Sequence, residues 1–213
     1  MVKPARCQVV SIATETHDFA YSAIQCQNLP VSNPRSPDSQ ASEMAAAADI
    51  RLRRWHPGDA AALTRYANNH NVSRSLGEPF PFPYTNADAE AWIALCNQTD
   101  EPVLNFAIDL SGEAIGSIGF VRLTDVRRLT AEIGYWIGEP FWGRGIATTA
   151  LVAATTYGFD ALGLARIQAG VFEGNPASAR VLEKAGYTLE GRLLRSIIKE
   201  GRILDSLLYS RIR

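Results

Sequence analysis

Ala131-Glu132-Ile133-Gly134-Tyr135-Trp136-Ile137-Gly138, then Trp142-Gly143-Arg144-Gly145-Ile146-Ala147, then Thr148 to Phe159, is the stretch that decides how this chain folds. The first run is strand-like and the last is helix-like, so the two loop glycines lie on a strand-to-helix turn. Such a turn presents free backbone N–H groups and the positive end of a helix dipole to whatever lies above it. Glycine lets the main chain approach an anion closely, and Arg144 adds a cation, so the turn has the makings of a phosphate cradle. By itself it reads equally as a tight connection with no ligand.

Working outward, Ala165 to Phe172 returns as a strand after the helix, which makes a βαβ unit with a right-handed crossover. Upstream, Val103–Asp109 and Ala114–Arg122 form a hairpin turned at Ser111-Gly112-Glu113. Asp59 is placed to cap a helix over Ala60–Asn68, the run Asn68 to Asn71 breaks it, and Thr85 or Asn86 caps a second helix over Ala87–Asn97. Between these helices lies a stiff aromatic loop, Phe80-Pro81-Phe82-Pro83-Tyr84. Downstream, Asn175 opens a helix to Ala185 that ends at Gly186, and Tyr187–Ile198 with Arg202–Arg211 closes the chain as an antiparallel pair. Strands and helices in this order describe a mixed sheet in an α/β fold of the α+β layer type.

The chain has 213 residues, enough for one sizeable core but not two full domains. Its net charge of -1 shows no basic footprint for nucleic acid or an anionic membrane, and no apolar run is long enough to span a bilayer. Cys7, Cys26 and Cys96 are widely spaced and suggest neither a disulfide framework nor a metal site, which points to a reducing, cytoplasmic setting. Residues 1–47 read as a disordered extension, because Leu29–Ser42 is rich in proline and serine with little to bury. Patterned sequence starts at Ile50, so Met44 is a candidate initiator, the alternative being a genuine arm; residues 48–213 are the expected domain.

Three elements in this order resemble the GNAT superfamily of acetyl-CoA-dependent N-acetyltransferases, most closely its RimJ/RimL branch. They are Ile133–Gly138 with the following glycine loop, Asn175-Pro176-Ala177-Ser178, and Glu183-Lys184-Ala185-Gly186-Tyr187. The resemblance covers about 50–213. It implies a mostly antiparallel sheet flanked by helices, with two splayed central strands that admit the pantetheine arm of coenzyme A. It assigns the pyrophosphate to the main chain of Trp142, Gly143, Arg144, Gly145, Ile146, Ala147 and Thr148, although Trp142 stands where the family usually has Gln or Arg. Main-chain groups near Trp136 and Ile137 would pair with the pantetheine like an added strand. Asn175 would contact it while capping its helix. The Trp136 and Tyr135 side chains read as alternating between core and surface. The implied partners are a coenzyme A thioester and an amine acceptor, with no metal, nucleic acid or membrane, acting as a monomer or homodimer.

Attack of an amine on a thioester needs a base for the ammonium and a donor for the leaving thiolate. Glu132 is the candidate base, in a context similar to that of a catalytic Glu in histone-acetylating relatives; the alternative is a surface carboxylate. Many relatives place a Tyr acid seven residues after the Asn, where this chain has Leu182. Ser178, a turn into that helix, is the branch's substitute donor, or else an ordinary capping residue. Cys96 reads as a small core residue. Asn69, Asn71, Arg74, Phe82 and Tyr84 are candidates for the acceptor pocket, and Asp205 either orients the acceptor amine or pairs with Arg202. The acceptor expected from the branch is a protein N-terminal amine; the rivals are a small-molecule amine such as an antibiotic or polyamine, or a non-catalytic acyl-CoA sensor.

Overall fold

The computed structural model of the protein describes residues 43–47, 49–98 and 102–213. Within them, strands β1 (Glu43–Ala47), β2 (Ile50–Arg53), β3 (Asn105–Leu110), β4 (Glu113–Arg122), β5 (Thr130–Ile137), β6 (Arg166–Phe172), β7 (Thr188–Lys199) and β8 (Arg202–Ile212) form one sheet. Their spatial order is β1-β2-β3-β4-β5-β6-β8-β7. All neighbours run antiparallel except β5 and β6, the pair joined through a helix.

The sheet is covered on both faces, so central strands such as β4 carry near-continuous apolar runs in place of simple alternation. One face packs Leu52, Phe106, Ile118, Ile133 and Ile167 beneath α4 (Ile146–Asp160) and α5 (Pro176–Lys184). The other packs Trp55, Ala107 and Ala114 beneath α1 (Ala60–Ala67) and α3 (Asn86–Cys96). Cys96 lies in this second core, where burial pushes its thiol up to about 12 and leaves it unreactive at neutral pH. Cys7 and Cys26 lie outside the described residues.

The feature that positions the site is the junction of β5 and β6. Only Thr130–Arg166, Ala131–Ile167 and Glu132–Gln168 face each other across it. Beyond Glu132 the strands part, while β5 stays paired to β4 as far as Ile137 and β6 to β8 as far as Phe172. The wedge therefore opens inside a sheet whose outer ladders are intact.

Several local expectations need correction. Residues 43–47, assigned to a disordered extension, form β1 and pair with β2, and Met44 packs against the first core. The remainder of that extension, residues 1–42, lies outside the described residues. The expected break after α1 contains a short helix, α2 (His70–Ser73), because the Asn69 side chain accepts from the Asn71 N–H and starts a new turn. Asp59 makes no capping bond to α1. Its carboxylate accepts from the Arg53 guanidinium at 2.7 and 2.9 Å and from the His56 N–H at 2.8 Å. Arg53 also donates through Nε to Asp109 at 2.8 Å, so one guanidinium ties β2, β3 and the entry to α1 together.

Candidate active site

Gly143 and Gly145 hold φ of +74° and +77°, the left-handed region that side-chain-bearing residues avoid. A Cβ built on either meets nothing within 4 Å, so the glycines serve backbone conformation and the space above the loop is open. Gly145 occupies the N-cap position of the 15-residue α4 and has no side chain to bond its first-turn amides. The N–H groups of Ile146, Ala147 and Thr148 thus stand ready for an anion. The Ile146 side chain is buried in the core and fixes the helix start. Trp142 donates its indole N–H to the Ile137 carbonyl at 2.7 Å, and the Arg144 guanidinium lies over the Phe141 ring, 5.7 Å from its centroid. The Trp142 side chain braces the loop against the end of β5, and the Ile137 carbonyl is already engaged. The Thr148 side chain lines an apolar groove against β1 with Met44 and Val152.

Strand alternation divides the wedge's residues between the two faces. Tyr135 packs with Ile133 and Ile137 against the α4–α5 core, while Trp136 packs with the α1–α3 core, its ring 5.7 Å from that of Phe80. Glu132 shares the parity of Trp136 and stands at the apex of the wedge, where one carboxylate oxygen accepts from the Gln168 amide at 2.9 Å. On the α4–α5 face, the Asn175 side chain accepts from the Ser178 N–H at 3.1 Å and caps α5. The Ser178 hydroxyl lies 3.0 Å from the Tyr135 hydroxyl, which also donates to the Ser178 carbonyl at 3.3 Å. Burial pushes the Tyr135 phenol up to about 12, against a smaller opposing effect of the Ser178 hydrogen bond. Leu182 is fully buried.

On the α1–α3 side, Asn69 and Asn71 do not present free amides. Both donate to Glu139, at 2.6 and 3.0 Å, tying α2 to the turn just ahead of the glycine loop. Those two bonds hold the Glu139 carboxyl below its ordinary range. Arg74 is exposed beside them, and Phe82 is exposed with its ring 5.4 Å from that of His70. Tyr84 is buried at 5% exposure against Phe80, so it supports the aromatic loop from within the core. His70 in turn meets Glu200 at the tip of the β7–β8 hairpin, 3.0 Å away. Asp205 pairs not with Arg202 but with Arg192 Nε and the Arg195 N–H, which occupy both carboxylate oxygens.

The sequence pattern of the acetyltransferase (GNAT) domain matches residues 49–188. The chain belongs to the GNAT acetyltransferase family. An uncharacterised N-acetyltransferase of Bacillus subtilis, YoaA, is 43% identical over 47% of this acetyltransferase, a match spanning only 56% of YoaA. The ribosomal-protein-serine acetyltransferase of Escherichia coli is 36% identical over 50% of this chain and 59% of its own. The spermidine N(1)-acetyltransferase of the same species is 27% identical over 77% and 86%. Among solved structures, RimJ of Mycobacterium smegmatis in complex with CoA-disulfide superposes with a TM-score of 0.69 at 28% identity, covering 76% of this chain and 81% of RimJ. The microcin C7 self-immunity acetyltransferase MccE, in complex with acetyl-CoA and AMP, gives 0.70 at 26% identity, covering 81% and 97%.

Acetyl-CoA is the co-substrate of this acetyltransferase, and the open glycine loop, the uncapped start of α4 and the parted strands fit a pyrophosphate followed by an extended arm. Among the described residues no cluster of His, Cys, Asp and Glu could hold a metal ion, and no helix is long and apolar enough to cross a membrane. Two residues at the site escape a reading of the sequence: Tyr135, whose alternation with Trp136 gives only a face, and Glu139, whose partners come from a distant loop. Only the motif Gly138-Glu139-Pro140 hints that Glu139 begins a turn.

Proposed function

We propose that this acetyltransferase moves the acetyl group of acetyl-CoA to a protein N-terminal amine by direct attack of the amine on the thioester. The observation that carries the acceptor is the commitment of the carboxylates around the wedge. Glu139 is held by two asparagines, Asp205 by Arg192 and the Arg195 amide, Glu200 by His70, and one oxygen of Glu132 by Gln168. A polyamine carries several ammonium groups and is best met by carboxylates whose oxygens and charge are free, whereas here Asp205 is ion-paired and the oxygens of Glu139 are turned to two amides; an N-terminal amine presents one charge and a peptide backbone. The proposed roles follow from placement. The amides of residues 143–148 hold the pyrophosphate, Asn175 and the free edge of β5 near Trp136 receive the pantetheine, and Ser178 donates to the thiolate. Glu132, oriented by Gln168, takes the amine proton directly or through water. Arg74 and Phe82 flank the acceptor.

Spermidine is the second reading, because the spermidine acetyltransferase matches over more of both chains than the ribosomal-protein enzyme does. Thiol release from acetyl-CoA, measured against peptides with free N-termini, spermidine and an aminoglycoside, decides among them. Peptides are expected to exceed spermidine in kcat/KM by about tenfold or more, equivalent to ~1.4 kcal/mol in transition-state binding. The reverse order selects the polyamine. Tight coenzyme binding without turnover on any acceptor marks a sensor.

A further inference from the structure

We infer that Tyr135 is a positioning residue for the thiolate, aiming the Ser178 hydroxyl at the coenzyme sulfur. The inference rests on the proposed donor role of Ser178. Tyr135 lies on β5 past Glu132, on the stretch that has left β6, and Ser178 lies in the first turn of α5, which follows β6. Their hydroxyls, 3.0 Å apart, are thus a link between the two sides of the wedge.

A serine hydroxyl carries one proton and can rotate it to any nearby acceptor. The Tyr135 oxygen competes for it, and a proton directed there is lost to the sulfur. The phenol's single proton has two acceptors, the Ser178 carbonyl at 3.3 Å and the nearer Ser178 Oγ at 3.0 Å, and the phenol reverses this when it donates to Oγ. Its own proton then occupies a serine lone pair, the serine proton is left to a ligand, and the two bonds in series polarise one another. Burial keeps the Tyr135 phenol protonated well above neutral pH, so it remains a donor throughout the working range. No proton is transferred along the pair. The amine nitrogen bonds to the acyl carbon and gives its proton to Glu132; as the C–S bond breaks the electron pair goes to sulfur, the Ser178 hydroxyl donates a hydrogen bond to it, and solvent finally protonates the thiolate. Leu182, one turn further along α5, is fully buried and apolar and offers no hydroxyl to the site.

The test is a kinetic cycle on the full chain with Tyr135→Phe, Ser178→Ala and the double variant, together with calorimetric coenzyme affinity and melting temperature for each. Each single change is expected to lower kcat about tenfold, the scale of one hydrogen bond to a developing charge, with KM and affinity for acetyl-CoA within about twofold. The double variant should be no slower than the slower single one, because the two hydroxyls act as one device. Ser178→Thr should recover most of the rate with Tyr135 present and little of it in the Tyr135→Phe background. A purely structural phenol would instead move melting temperature and coenzyme affinity, with losses that multiply. A slow Ser178→Ala with a wild-type Tyr135→Phe overturns this inference and leaves the serine role standing. A wild-type Ser178→Ala overturns the serine role, and the inference with it, whatever Tyr135→Phe does.

Discussion

Gly145 combines a positive φ, open space where a side chain would stand and the start of an uncapped helix. Gly145→Glu places a carboxylate over the amides that should meet pyrophosphate. Calorimetry is expected to show no coenzyme binding, while Gly145→Ala, which costs about 1 kcal/mol of backbone strain but adds no charge, weakens it modestly. Unchanged affinity in a folded Gly145→Glu protein would remove the loop from the coenzyme site. Glu132→Gln keeps the hydrogen bond to Gln168 in altered form but deletes the base. Its rate should fall by about a hundredfold near neutral pH with coenzyme affinity nearly intact. The deficit should shrink as pH rises, since free amine then needs no base; a profile parallel to wild type would clear Glu132 of proton transfer. The glycines were legible in the sequence because left-handed φ and a helix start are local properties. The Tyr135–Ser178 contact was not, because it joins residues 43 positions apart through a gap between strands.

From β2 onward helix and strand placement followed the hydrophobic periods closely; β1 was missed because its run of alanines carries no alternation, and other misreadings fell where one side chain had two uses. Asp59 sits where a helix cap belongs, yet the Arg53 guanidinium outbids that use. Burial alone would raise the Asp59 carboxyl, but bonds from Arg53 and the His56 N–H outweigh it and hold it below the ordinary carboxylate range. A depressed folded-state carboxyl contributes stability above its unfolded value, about 3.9, and loses it as pH falls through the folded value. Arg53→Met strands Asp59 and Asp109 with little exposure, and urea unfolding at neutral pH should show a loss of about 3 kcal/mol. That loss should narrow as pH falls below the ordinary carboxylate range and through the depressed folded value of Asp59; an equal loss at neutral and at low pH would assign the damage to packing. Glu139 works between elements too, holding α2 beside the glycine loop. Glu139→Ala should raise the acceptor KM several-fold and leave coenzyme affinity within about twofold, as expected of lost positioning rather than lost contact. Equal effects on both ligands would mean that α2 does not border the acceptor.

At the scale of the molecule, β1 extends the sheet and lies against α4, with its Met44 packed on the first core. A chain beginning at Asp49 should therefore melt below one beginning at Glu43, by about 2–8 °C for the one or two kcal/mol that a short edge strand and a half-buried Met contribute. Identical melting curves would show that the domain does not need β1. The sequence alone determined the order of strands and helices from β2 onward except α2, the glycine loop and its helix, and the capping Asn175, because periodicity, left-handed glycines and caps are written within a few residues. Tertiary structure decided which polar groups are spoken for. It drew Asp205 to Arg192, Asn69 and Asn71 to Glu139, Asp59 to Arg53, and the Tyr135 hydroxyl to Ser178. Hydrogen-bonding groups take whichever partner the packed sheet brings within about 3 Å, and that choice depends on strand order and on the parting of β5 from β6, which no short window of sequence contains.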